Sequence, residues 1–132
     1  MNKFGDAAIQ AVGLYDGEEV DSPKKAWDMA VASLGLVDKS CPKCAFLGLC
    51  ETGWVKGIPR SDDYTRSILN KGYAVKAVEK LKSKLSLASE TPVSLWRLIE
   101  RTKAHNSQMD VVLALWKDHI DRGKVIVGRG QQ

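Results

Sequence analysis

Apolar positions recur at helical spacing along most of the chain and divide it into five or six segments. Phe4, Ala8, Val12 and Tyr15, with Ala11 beside them, form one side of a first helix that stops near Asp16-Gly17. Ser22-Pro23 opens the second, because a serine oxygen accepts from the free amides of the first turn and proline loses nothing at the first helical position. Its stripe is Trp27, Ala30, Val31 and Leu34, and Gly35 is suited to end it. By the same logic a third helix begins at Cys41-Pro42 and carries Phe46, Leu47 and Cys50 before Gly53.

The stretch from Trp54 to Arg60 contains Gly57 and Pro59 and reads as a packed connection. A long helix is expected from about Thr65 to Leu85, with Ala74, Val78, Leu81 and Leu85 as its core stripe and Tyr73 and Ala77 alongside. Gly72 interrupts it at about 1 kcal/mol relative to alanine, which points to a kink or a close backbone approach there. Thr91-Pro92 opens a further helix with Leu95, Trp96, Leu98 and Ile99. Ser107 and Asp110 resemble a capping box before Met109, Val112, Leu113, Trp116 and Ile120, and Gly123 closes that helix. The only strand-like run is Lys124 to Gly130, and one strand makes no sheet. The expectation is therefore all-α: a single compact domain over residues 1–132, with a helical body over 1–123 and an extended basic tail over 124–132.

A chain of 132 residues hides enough surface to fold without disulfides or metal. Its 44% apolar and 27% charged content excludes both a disordered and a membrane-embedded chain. No apolar run approaches the ~20 residues of a bilayer span, and the first residues lack a signal-peptide pattern. Three clustered thiols without an export signal point to a reducing compartment, with the cytoplasm as the default. Charge is uneven. Residues 1–55 hold five lysines against eight carboxylates, whereas residues 56–85 hold eight Lys/Arg against three. A basic middle of this kind suits an anionic partner if its charges share a face.

Three strings stand out: Cys41-Pro42-Lys43-Cys44-Ala45-Phe46-Leu47-Gly48-Leu49-Cys50, then Val55-Lys56-Gly57-Ile58-Pro59, then Asn106-Ser107-Gln108-Met109-Asp110-Val111 through Trp116. Together they resemble a small bacterial family defined only as a domain of unknown function. The resemblance would cover most of the chain and implies no activity, substrate or partner. It implies counterparts of Cys41 and Cys50 but none of Cys44, which argues against a shared site that requires Cys44.

The thiols permit three readings. As a zinc site, Cys41 and Cys44 make one good pair, but Cys50 lies almost two turns further on and the fourth ligand would be His105 or His119. Three cysteines fall short of the usual four of an iron–sulfur cluster. As a redox pair, Cys-Pro-Lys-Cys at a helix start is chemically sensible, with Cys41 as the attacking thiol, yet the alternating strands and helices of a thioredoxin-type fold are missing. As structure, Cys44 and Cys50 are small core residues and Cys41 begins a helix, which is the simplest reading.

The second signal is basic. Lys76, Lys80 and Lys84 recur every four residues, with Lys71 and Lys82 nearby and Glu79 among them. Such a row can follow phosphates without reading sequence, although a solvated helix face looks the same. Trp54, Lys56 and Arg60 extend this candidate binding region over 54–84, Trp54 being a loop aromatic suited to line a pocket or partner surface. A helix-turn-helix across Gly53 fails because Gly57 and Pro59 would fall inside its recognition helix. No nucleophile elbow, phosphate loop, zinc-protease motif or dinucleotide fingerprint is present, and neither His105 nor His119 has an evident carboxylate partner in sequence.

Two functions thus remain. The first is a non-catalytic binding or regulatory module that meets a protein or anionic partner, nucleic acid without sequence specificity included, through 54–84. The alternative is a thiol-redox or metal-binding protein centred on Cys41 and Cys44, with zinc as the candidate metal.

Overall fold

Ser22 and Thr91 seat two helix starts as their chemistry requires. Ser22 accepts the amide of Lys25 at 3.1 Å ahead of a helix opened by Pro23, and Thr91 accepts that of Ser94 at 3.1 Å ahead of one opened by Pro92. The computed structural model describes residues 3–124. They contain α1 (Lys3–Asp16), α2 (Pro23–Ser33), α3 (Ser40–Glu51), α4 (Ile68–Ser83), a 3₁₀ turn (Leu85–Ser89), α5 (Pro92–Arg97) and α6 (Gln108–Trp116). The fold is all-α. Beyond Lys124, the strand-like run and the rest of the basic tail, residues 125–132, lie outside the described residues. Among these the sole β pairing is an isolated antiparallel bridge between Val55 and Ile120.

Helix α6 is the hub and packs against α1, α3, α4 and α5. Met109, Val111, Val112, Leu115 and Trp116 are all buried, and a helix apolar nearly all round is one enclosed by others. Around it, α1 pairs with α2 and α3 with α4. The α3–α4 pair is close because Gly48 has no side chain: a Cβ there would stand 2.6 Å from Lys71 Cα. Gly72 was the position expected to allow such an approach, yet a Cβ on it would meet nothing within 4 Å. The close contact is made one residue earlier, by Lys71, against a glycine of the neighbouring helix.

Several boundaries differ from the sequence expectation. Helix α4 starts at Ile68, because Ser67 caps it by accepting from Asn70 N at 3.4 Å. It ends at Ser83, and the extended Lys84 throws Leu85 out to solvent instead of into the core. Leu34 is likewise exposed at the end of α2. Helix α6 stops at Trp116, and Ile120 is buried through its bridge to Val55, not as a further helical repeat. The capping box does not form: Ser107 is left-handed (φ 68°) and its side chain accepts no cap bond. His105 Nε2 instead accepts the amide of Met109 at 3.1 Å, and Gln108 Oε1 accepts that of Asn106 at 2.7 Å.

Candidate functional site

At 100° per residue, the lysines of α4 fall into two sets. Lys76 and Lys80, with Lys84 at the helix end, line one groove of about 480 Å³ together with Glu79, Ser83, Leu87 and Leu98. The 3₁₀ turn packs back against α4, and its Leu87 lines the groove. Leu98, just past α5, is 48% exposed. The groove thus carries three ammonium groups beside two leucines, with one carboxylate among them. Leu87 and Leu98 were not read as site residues, because their exposure depends on how α5 folds back, which periodicity does not encode.

Lys71 and Lys82 point the other way around α4. Lys71 Nζ donates to the buried carboxylate of Glu51 at 2.6 Å. Lys82 Nζ donates to the carbonyl of Lys124 and stands 6.0 Å from the centre of the Trp54 ring, with Lys124 Nζ at 5.3 Å from the same ring. Trp54 is only 2% exposed, so its indole contributes to packing and to cation–π contact instead of lining an open pocket. Its carbonyl accepts from Asp121 N at 2.8 Å, and Lys56 N donates to His119 O at 2.8 Å, which ties this loop to the end of α6. The side chains of Lys56 and Arg60 are exposed, but neither lines the groove of Lys76, Lys80 and Lys84. The structure therefore does not gather the six basic and aromatic candidates onto one surface.

The cysteine helix separates its thiols. Cys41 and Cys44 are half-buried and line different cavities, the first beside His105 and Trp96, the second beside Lys24, Tyr64 and Arg66. Lys43 between them is held by Asp28 at 2.8 Å and Asp38 at 3.6 Å. Burial works to lower its pKa, but the two carboxylates outweigh this and raise it. Its charge is thus matched by carboxylates. Cys50 is fully buried, and burial pushes its thiol well up, away from thiolate at neutral pH. Among the described residues no group of three or more His, Cys, Asp and Glu is placed to hold a metal ion.

A second constellation gathers at the α4–α5–α6 junction. Tyr73 meets Trp96 edge-on at 4.8 Å between ring centres, and Trp96 lies 5.5 Å from His105. Trp96 Nε1 donates to Lys103 O at 2.8 Å, and Gln108 Nε2 donates to Asn70 Oδ1 at 3.2 Å. His105 does have a carboxylate neighbour, contrary to the sequence reading: Asp110 Oδ2 lies 3.8 Å from Nε2. Burial lowers the His105 pKa against the opposing pull of Asp110, and burial raises that of Asp110 despite His105. The cap bond from Met109 fits the neutral ring, since only an unprotonated Nε2 can accept. His105 thus caps the start of α6.

No helix among the described residues is long and apolar enough to cross a membrane. No curated protein and no solved structure shows a significant match to the chain. One family model matches residues 1–120. On that match the chain belongs to DUF6979, a family of unknown function.

Proposed function

We propose that the protein is a non-catalytic binding module whose Lys76–Lys80–Lys84 groove takes an acidic, leucine-bearing segment of a protein partner. The observation that carries this reading is the meeting of three lysines with Leu87 and exposed Leu98 in one groove. Ammonium groups favour an anionic partner, and apolar side chains beside them favour one that also buries hydrocarbon. A nucleic-acid backbone would use the lysines alone, and no aromatic face in the groove is offered to bases. Lys76 and Lys84 are exposed, so their charge reaches a partner without desolvating a buried ion.

Two-dimensional ¹H–¹⁵N spectra of the full chain test it. The probe is a helical peptide with glutamates on one face and leucines on the other, set against a single-stranded oligonucleotide of equal charge. The reading predicts saturable shifts at Lys76, Lys80, Lys84, Leu87 and Leu98 with the peptide. Shifts produced only by the oligonucleotide, or peptide shifts centred on Lys56 and Arg60, would overturn it.

A further inference from the structure

We infer that the cleft between Cys41 and His105 is a small-molecule site for a flat aromatic or heteroaromatic ring that carries a hydrogen-bond acceptor. This rests on a different face from the lysine groove and on independent observations. The cleft holds about 340 Å³, at the lower end of the roughly 300–1,000 Å³ of small-molecule sites. Its wall is aromatic: the Tyr73, Trp96 and His105 rings stand in series, and Leu69, 60% exposed, stands at its edge. Such walls reward a planar ligand by stacking or edge contact beyond the area it buries.

The polar groups of the cleft indicate what the ring should carry. Asn70 and Gln108 are bonded to each other, and Gln108 Oε1 is taken by Asn106 N. His105 differs. Its Nε2 is occupied by the Met109 amide, so the neutral ring bears its proton on Nδ1. Nδ1 has no acceptor among the described residues, and no buried side-chain nitrogen or oxygen among them lacks a partner, so Nδ1 is within reach of solvent on a residue that lines the cleft. The His105 N–H and the ammonium of Lys103, which lines the same cleft, are donors beside aromatic walls and suit an acceptor atom in the plane of a ring. The site is therefore shaped for a flat ring with an acceptor atom at its edge.

The two half-buried thiols provide the test, because only Cys41 belongs to this cleft. The full chain is alkylated with N-ethylmaleimide at neutral pH, and the rates at Cys41 and Cys44 are read separately by peptide mass spectrometry. The probes are quinoline, flat with a ring-nitrogen acceptor, and cyclohexyl methyl ketone, an acceptor of similar size that is not flat. For a ring of this size binding near 1 mM is expected, so quinoline at several times that level should slow Cys41 by about threefold or more. Cys44 should react at its original rate, and the ketone should protect neither. Leu69→Glu, a change at an exposed position, should abolish the protection while the fold, read by circular dichroism, stays intact. Unaltered Cys41 reactivity with quinoline, equal protection by both probes, or protection that survives Leu69→Glu would each overturn the inference.

Discussion

Lys71 Nζ lies 2.6 Å from Oε1 of Glu51, a carboxylate with a side chain only 4% exposed, so α4 is pinned to the last residue of α3 by a largely buried ion pair. The other oxygen, Oε2, accepts the amides of Tyr64 at 3.0 Å and Thr65 at 3.3 Å. One carboxylate therefore fixes both the helix crossing and the loop that leads into α4. It also lies on the opposite side of α4 from the lysine groove, so Lys71 takes no part in that groove. Glu51→Ala removes an acceptor from two amides and strands Lys71. A loss of about 2–4 kcal/mol in denaturant unfolding is expected. A loss below about 1 kcal/mol, the value of a surface pair, would mean the pin is not structural.

Acid should weaken the same pin. Burial alone raises the Glu51 pKa, but Lys71 and the amides of Thr65 and Tyr64 outweigh it and hold the carboxyl below its ordinary value. A depressed carboxyl stabilises above the unfolded-state pKa and loses that contribution as pH falls through the folded value. Stability should therefore fall below about pH 4.3 more steeply in the native chain than in Glu51→Gln. Parallel pH profiles for the two chains would contradict this.

His105 places a second transition at milder pH. Its folded pKa is lowered, chiefly by burial, so the unfolded chain takes up a proton first as pH falls below about 6.5. Stability present above that pH is lost as pH drops toward the folded value, when protonation of Nε2 also breaks the cap on Met109. Asp110 works in the opposite direction, since its raised pKa favours the folded state on acidification. The His105 contribution is the difference between the native chain and His105→Gln in thermal unfolding between about pH 7.5 and about pH 5.5. A native chain that loses no more than the variant would refute it.

Two glycines of the packed pair should answer alanine in opposite ways. At Gly48 the new methyl group meets the Lys71 backbone at 2.6 Å, a contact that a side-chain rotation cannot relieve, and about 1–3 kcal/mol of destabilisation is expected. At Gly72 the methyl group meets nothing within 4 Å, and alanine should stabilise α4 by about 0.5–1 kcal/mol. Paired urea unfolding curves settle both. A stabilised Gly48→Ala would contradict the close crossing.

What the sequence made legible was local. Ser22-Pro23 and Thr91-Pro92 declare their helices because a cap acts within one turn of itself, and the four-residue period of Lys76, Lys80 and Lys84 follows from the helix alone. Interactions that need a tertiary crossing were not visible. Gly72 looked like the tight point because it interrupts a helix, while the actual neighbour of Lys71 is Gly48 in α3, 23 residues earlier in the numbering. Trp54 looked available because Gly57 and Pro59 follow it; Lys82 and Lys124, both distant in sequence, close over its ring. His105 lacked a visible partner because Asp110 reaches it only through the left-handed turn at Ser107.

The central claim is that binding belongs to the Lys76–Lys80–Lys84 groove and not to every basic residue between 54 and 84. The most direct measurement compares two variants for affinity toward the glutamate–leucine peptide. One carries Lys76→Gln, Lys80→Gln and Lys84→Gln together; the other carries Lys56→Gln and Arg60→Gln. The triple change should weaken binding by about tenfold at low salt, with the difference shrinking as salt screens the charges, and the pair should bind nearly as the native chain does. Equal losses in both variants, or no loss in the triple, would contradict the claim.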